Sequence, residues 1–417
     1  MLRQLNKIIQ KHSRNMTSIT ASNFTGAVDL ANGRTLLDEH KLQEACAATP
    51  VASSAEVEMY KNAICTHSGS FHCDEALAIG LLKLMPRWKD SPVIRTRKSD
   101  IIDACKIVVD VGGTHDHSKS RYDHHQREFN AEFEDITLGK ETGFKTKLSS
   151  AGLVYKYYGK EILNEVRLAC GAPEEDAALA DKIWKKIYQS FIEHVDGIDN
   201  GIEAFEGGVK NYNVSSTLSG RVGSLNPSWN EPSSDDVRNQ LFQKAMLLTQ
   251  KEFLQKVTSL YTSWFPARSI VEKALSKDEM SSEQKSSKRQ KTDGTESETV
   301  AWSTDEQIFV LDQYCPWIEH LFDLEQEKGM VGRFKYCLFP DSHGGARIRA
   351  VPAAPGSFAS RKALPTPWRA LRDEELSTLT GIEGCVFAHN SGFIGGNKSF
   401  DGAMLMARAA VEFEEKE

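Results

Sequence analysis

The stretch Ala63-Ile-Cys-Thr66-His67-Ser-Gly-Ser-Phe-His72-Cys-Asp74-Glu75 decides how the chain is read. A short apolar run breaks into a Gly/Ser loop, and the loop opens into a helical pattern, Asp74–Leu84, that stops before Pro86. Two further β-type runs follow, Val93–Thr96 and Lys106–Val111, the second bounded by Gly112 and Gly113. Leu148–Leu163 and Asp181–Val195 carry apolar residues at three- and four-residue spacing and predict helices. Strand–helix–strand alternation of this kind predicts an α/β fold with a parallel or mixed sheet. Later runs at Gln307–Asp312, Arg333–Pro340 and Ala346–Val351 predict a smaller C-terminal α+β domain. The last two are joined as a hairpin through Asp341-Ser-His-Gly-Gly345.

A length of 417 residues fits two domains. From Ser276 to Thr299 the only apolar residue is Met280, so this stretch is expected to be a disordered linker between domains at 60–275 and 300–417. Its cluster of Lys285, Lys288, Arg289 and Lys291 fits a nuclear import signal as well as a solvated linker. Residues 1–28 hold Arg3, Lys7, Lys11 and Arg14 and no acid, with Leu2, Leu5, Ile8 and Ile9 on helical spacing, as in a mitochondrial presequence. No apolar run approaches the ~18 residues that span a bilayer, which excludes an integral helical membrane protein. The net charge is −7, so any nucleic-acid binding must come from a local basic patch. Eight cysteines without a CxxC pair exclude a zinc ribbon or small disulfide scaffold and point to a reducing compartment.

The chemistry concentrates in packets where histidines and carboxylates arrive together. The first is His67…His72-Cys-Asp74-Glu75, the second Val108-Val-Asp110-Val-Gly-Gly113, and the third Asp123-His124-His125. A later packet is His194-Val-Asp196-Gly-Ile-Asp199-Asn-Gly201. The first two lie at the carboxyl ends of strands, where open α/β sheets bind ligands. Taken singly, each residue has a plain alternative: a strand-end acid such as Asp110 commonly caps a turn, and His115 and His117 read as exposed loop histidines. Together the first three packets predict a metal site. Mixed Asp/His ligation favours borderline divalent ions. Mn²⁺ is expected first, with Zn²⁺ or Mg²⁺ as alternatives. Two such ions ~3.5–4 Å apart form the clamp used in phosphoester hydrolysis.

Asp123-His124-His125 after Val-Val-Asp110, with a His…Asp motif upstream, is similar to the DHH phosphoesterases. Longer segments resemble the narrower Myg family (melanocyte proliferating gene product). These include His67–Ala76, Arg121-Tyr-Asp-His-His-Gln-Arg127, Lys147-Leu-Ser-Ser-Ala-Gly152, Val195–Gly201 and Leu225-Asn-Pro-Ser-Trp229. Trp264-Phe-Pro-Ala-Arg268, Pro367–Asp373 and Phe387–Gly396 extend the likeness, which runs from about residue 60 to 410 outside the linker. It implies a DHH-like, metal-dependent 3′–5′ exonuclease acting on RNA in mitochondria and the nucleus. Residue by residue, it implies metal ligands at His67, His72, Asp74, Asp110 and His124, with Asp110 shared between metals. His72 stands where an Asp is usual, and the spacing is one residue longer. Asp123 would orient the neighbouring imidazoles, and His125 would touch the phosphate and act as an acid. The downstream ligand is Asp196 or Asp199. Asp196 is preferred, because Asp199-Asn-Gly reads as a turn.

The same resemblance places a substrate grip in the C-terminal domain, at His389, Gly392, Gly395 and Gly396, with Phe393 able to stack on a base. Arg347, Arg349, Arg361, Arg369 and Arg372 supply a local basic surface, although 347 and 349 also fit a solvated strand face. The expected partner is RNA, with no membrane, and self-association is left open. Two other functions fit the same residues. One is a metallohydrolase of a small phosphorylated substrate. The other is a non-catalytic RNA- or partner-binding protein with a structural metal.

Overall fold

A computed structural model describes residues 60–133, 143–205, 212–231, 233–276 and 304–415, the helical backbone of 277–286, and three short strands before residue 60. Those strands are β1 (Gly26–Asp29), β2 (Arg34–Leu37) and β3 (Val51–Ala52). Most of the stretch expected to be a presequence therefore lies outside the described residues. The chain divides into two units, Met1–Thr262 and Ser263–Glu417. The division falls before the expected boundary at 275 because helix Phe265–Ser286 buries Ala267, Val271, Ala274 and Leu275 in the core of the second unit. That helix also covers 276–286, where disorder was expected. The basic cluster from Lys288 onward lies outside the described residues.

The first unit is a six-stranded sheet flanked by helices. β4 (Ile64–Thr66), β5 (Val93–Arg95) and β6 (Ile107–Val109) are buried along their whole length. β7 (His115–Asp116) and β8 (Arg121–Tyr122) complete the order β3-β5-β4-β6-β8-β7. All pairings are parallel except β7 with β8. Strands covered on both faces can be apolar throughout, which is why these runs show no alternation. Between β4 and β5 runs α1 (Cys73–Leu82), and every one of its residues is buried. α2 (Ser99–Ala104) leads into β6. α3 (Ser150–Ala169) is the long helix beside α1. α4 (Ala177–Ile187) passes through a π-helical turn, Tyr188–Ile192, into α5 (Glu193–Asp199). Then come α6 (Leu218–Gly223) and α7 (Asp235–Ser259).

The second unit opens with α8 (Phe265–Ser286) and β9 (Ile308–Val310), followed by α9 (Ile318–Glu327). β10 (Tyr336–Pro340) and β11 (Ala346–Ala350) form the expected hairpin, its turn closed by Asp341 Oδ1 accepting from the His343 and Gly345 amides. α10 (Asp373–Thr380), β12 (Cys385–Ala388), β13 (Ile394–Asn397) and α11 (Phe400–Glu412) complete it. The sheet order is β12-β13-β11-β10-β9, with only β9 and β10 parallel. Ala346, Ile348 and Ala350 of β11 enter the core that α11 covers, so Arg347 and Arg349 take the opposite face. The expected α/β fold with an α+β second unit is what forms. Seven cysteines among the described residues are free and buried, and no described helix is long and apolar enough to cross a membrane.

Candidate metal centre

Five local structures bring the acidic and imidazole groups together. His67 leaves β4, and Asp74 and Glu75 occupy the first turn of α1, both wholly buried. Glu75 Oε1 accepts from the His72 amide at 2.8 Å, the reciprocal half of a capping box. Asp110 follows β6 with φ +55°, a left-handed backbone that costs a non-glycine residue about 1 kcal/mol or more. Asp123, His124 and His125 follow β8, and Asp199 ends α5.

The distances place these groups around common centres. His67 Nε2 lies 3.2 Å from Glu75 Oε1 and 3.3 Å from Asp110 Oδ2. His124 Nε2 lies 3.2 Å from Asp199 Oδ2, 3.4 Å from Asp110 Oδ1 and 3.9 Å from Asp74 Oδ2. Three overlapping sets could each hold an ion: His67, His72, Glu75 and Asp110; Asp110, His124 and His125; and Asp74, His124 and Asp199. Asp110 belongs to two of them and His124 to two.

The donor set fits a divalent cation. Both oxygens of Asp74, Glu75 Oε2 and both ring nitrogens of His124 are buried without a hydrogen-bond partner. Buried carboxylates left in that condition cost several kcal/mol unless a cation is beside them. Four acids, Asp74, Glu75, Asp110 and Asp199, therefore share one pocket with two buried imidazoles. The electrostatics agree. Burial, and then repulsion from Asp110, Asp199 and Glu75, pushes the Asp74 carboxyl well above its ordinary range. At His67 burial opposes the charged form, but Asp110 and Glu75 outweigh it and push the imidazole up to about 10. His124 behaves likewise against Asp110 and Asp199, and also reaches about 10. Burial would raise Asp110, yet His124 and His67 hold it low.

His125 is set apart. Its side chain is 63% exposed, with Nδ1 held 2.7 Å from Asp123 Oδ1. The other Asp123 oxygen accepts from the Gly113 amide at 2.6 Å. Asp123 thus ties the glycine turn after Asp110 to the ring of His125, as a fixed carboxylate orients an imidazole. A cavity of about 560 Å³ opens here, lined in part by His72, Asp110, His125 and Asp199.

Asp196, the preferred downstream ligand, is placed elsewhere. Its Oδ1 accepts from Ser149 N and Oγ and from Gly152 N, and Oδ2 accepts from the Tyr188 hydroxyl. A Cβ on Gly152 would sit 2.3 Å from this carboxylate, so the glycine exists to admit it. Asp196 caps the start of α3, and Asp199, one turn further on, faces His124. Glu75 was read as part of the first packet but not as a ligand; its place one residue after Asp74, inside an apolar helix, was the available signal. His115, half-buried, and His117, exposed as expected, sit outside the cluster, with His117 stacked 3.9 Å from Tyr157.

In the second unit the expected grip residues divide. Arg361 makes a bidentate pair with buried Glu325 at 2.7 and 2.6 Å, donates to Phe334 O and lies 4.4 Å from the Phe322 ring centre. It is internal and not available to a substrate. Arg347 pairs with Asp341 at 2.9 Å. Gly395 and Gly396 lie in β13 between two paired strands, so they answer packing and not an approaching phosphate. A Cβ at Gly396 would strike Arg347 Nη1, and one at Gly395 would strike Leu364. Gly392 takes φ +71° in the turn before β13. Arg349, Arg372 and His389 remain on the surface, with His389 Nδ1 2.9 Å from Ser391 Oγ and its ring edge-on to Phe393.

A carboxylate–imidazole cluster at the strand ends of a parallel sheet defines an α/β protein with a candidate divalent-metal centre. The chain matches the family model MYG1_exonuc, described as "Uncharacterised protein family (UPF0160)", over residues 63–411, and belongs to that family. It is 45% identical over 345 residues to the MYG1 protein of Dictyostelium discoideum, covering 82% of this chain and 94% of that one. Similarity to the MYG1 exonuclease of Rattus norvegicus is 43% over 346 residues, covering 83% of this chain and 84% of that one. For the MYG1 exonuclease of Homo sapiens it is 40% over 376 residues, covering 90% and 93%. No solved structure matches this chain.

Proposed function

We propose that this protein is a metal-dependent phosphodiesterase that removes nucleotides from the 3′ end of RNA. The observation that carries the reading is His125: exposed, oriented by Asp123, and 3.4 Å from Asp110 at the mouth of a buried acid–imidazole cluster. Support comes also from relatives named MYG1 exonuclease and from the likeness of the Asp110 and Asp123-His124-His125 motifs to DHH phosphoesterases.

His67, Glu75 and Asp110 would hold one divalent cation, with His72 beside them, and Asp74, His124 and Asp199 a second. Such cations supply Lewis acidity and a water acidified enough to attack at neutral pH. The chain's own part is positional. Nδ1 of His125 stays against Asp123, which leaves Nε2 facing the cavity. In the imidazolium form Nε2 carries a proton that it delivers to the departing 3′ oxygen as the P–O bond breaks. Residues 1–28 support a mitochondrial address, and Lys285–Lys291 a nuclear one.

The test is degradation of 5′-end-labelled single-stranded RNA with Mn²⁺ supplied or chelated, alongside metal analysis of the purified protein. A ladder shortening one nucleotide at a time from the 3′ end, lost on chelation and in His125→Ala, is the expected result. Intact RNA with full metal content would leave a structural metal as the reading. The cavity size favours one alternative, hydrolysis of a small phosphorylated substrate, which would appear as turnover of dinucleotides with the long RNA untouched.

A further inference from the structure

The cavity that meets the acid–imidazole cluster has a second kind of lining. Ser215, Thr217, Ser219, Gly220 and Gly223 contribute to it, with Phe71 and Ile198, and among the described residues neither Lys nor Arg does. The two glycines of α6 differ in what the fold asks of them. A Cβ on Gly220 would lie 2.3 Å from the Ser215 carbonyl oxygen, so that glycine is required by the crossing chain. A Cβ on Gly223 would meet no atom of the described residues within 4 Å. Gly223 is helical, and alanine in a helix is better by up to ~1 kcal/mol. No described contact requires a glycine at 223. What the missing side chain preserves is open space in the cavity wall.

We propose that this face of α6, with Ser215 and Thr217 before it, is a nucleoside subsite. It takes the sugar and base of the terminal nucleotide whose phosphate lies against the acid–imidazole cluster; this deepens, and rests on, the phosphodiesterase reading. The chemistry of the lining matches that half of a nucleotide. Hydroxyls at Ser215, Thr217 and Ser219 suit ribose hydroxyls. Phe71 and Ile198 suit a base face. The described wall carries no cation, so it gives a second phosphate no charged partner. A volume of about 560 Å³ is that of a small-molecule site, enough for one nucleotide but not a length of polymer. Asn226 fixes the wall to the site by gripping Phe71 through both its amide and carbonyl, at 3.0 and 2.8 Å.

The test compares adenosine 5′-monophosphate with inorganic phosphate, by calorimetry on the full chain in Mn²⁺, for the unsubstituted protein, Gly223→Ala and Gly223→Leu. Both probes reach the cluster, and only the nucleotide reaches the wall. Gly223→Leu should weaken the nucleotide by about tenfold or more, Gly223→Ala by less, while phosphate changes by under about twofold. Bound metal should stay constant, and the melting temperature of Gly223→Ala should hold or rise. Equal losses for both probes, or none for either, overturn the subsite and leave the phosphodiesterase reading standing. If the unsubstituted protein binds neither probe, that reading falls and the subsite falls with it.

Discussion

Oδ2 of Asp110 lies 3.3 Å from Nε2 of His67, and the other oxygen of the same carboxylate faces His124 at 3.4 Å. One acid therefore spans a histidine of the first packet and one of the third. It does so from a left-handed backbone with φ +55°, which aims the side chain out of the sheet end. Asp110→Ala and Asp110→Gly should both lose bound metal and turnover. Their stabilities should run against the usual order. Glycine relieves the left-handed strain, so Asp110→Gly should outlast Asp110→Ala by about 1 kcal/mol in urea unfolding under chelation. Alanine the more stable of the two would show that the strain account is mistaken.

Asp199 and Asp196 sit one helical turn apart and do different work. Asp199→Asn should lower metal content, since Asp199 faces His124 at 3.2 Å. Asp196→Asn should keep it. Burial, set against hydrogen bonds from Ser149, Tyr188 and Gly152, pushes the Asp196 carboxyl up to about 7. A native carboxyl titrating above its unfolded value binds a proton that the unfolded chain has already released. Its contribution is thus intact below about pH 4 and is lost as pH rises towards 7, on the order of 4 kcal/mol in all. Asparagine mimics the protonated form, so Asp196→Asn should flatten the stability profile between about pH 4 and 7. Thermal melts across that range would show it, and an unaltered slope would count against the burial argument.

The pattern of strands and helices was legible because buried parallel strands, and a buried helix apolar after its first turn, leave continuous runs in the sequence. His67, Asp74 and Asp110 were legible for the same reason, each following a strand or opening a helix whose place is evident, and His124 was legible from its Asp123-His124-His125 packet. Asp196 was not, because its partners Ser149, Gly152 and Tyr188 come from other segments, and no local pattern marks an acid as a helix cap at that range. Glu75 was masked by its neighbour. Arg361 looked like one of five arginines until its pairing with Glu325, far along the chain, removed it from the surface. Long-range pairing of single charges is what a sequence pattern does not carry.

Arg361 and Glu325 form the buried ion pair of the second unit, with Glu325 also accepting from the Phe334 amide. Removing one partner leaves the other charge buried and unpaired, at a cost of about 3–5 kcal/mol. Arg361→Ala should therefore lower the melting temperature and expression, while the fraction that folds binds RNA as before. Normal stability with weakened RNA binding would return Arg361 to the substrate surface.

On the face of the second sheet opposite α11, α8 and α9 cover β9 and β10, and the part at β11, β13 and β12 is where the proposed polymer grip would lie. Arg349 stands on it with its guanidinium 6.0 Å from the Phe393 ring centre, and Arg372 lies 5.9 Å from that of Phe387. No described carboxylate pairs closely with Arg349, and Arg372 has only Asp373 at 4.0 Å. Arg347, by contrast, is drawn to Asp341. If this face tracks single-stranded RNA, the two freer guanidiniums meet phosphates and each contact releases counterions. The double variant Arg349→Gln/Arg372→Gln should weaken a long RNA and reduce its salt slope by about 1–2. Turnover of a dinucleotide, which does not extend beyond the metal cavity, should change little. His389→Ala, at the edge of the same sheet, should likewise affect the long substrate far more than the short one. Filter binding across a salt series with both lengths separates the cases. An unchanged slope, or equal losses on both lengths, would mean that this sheet face does not grip the chain.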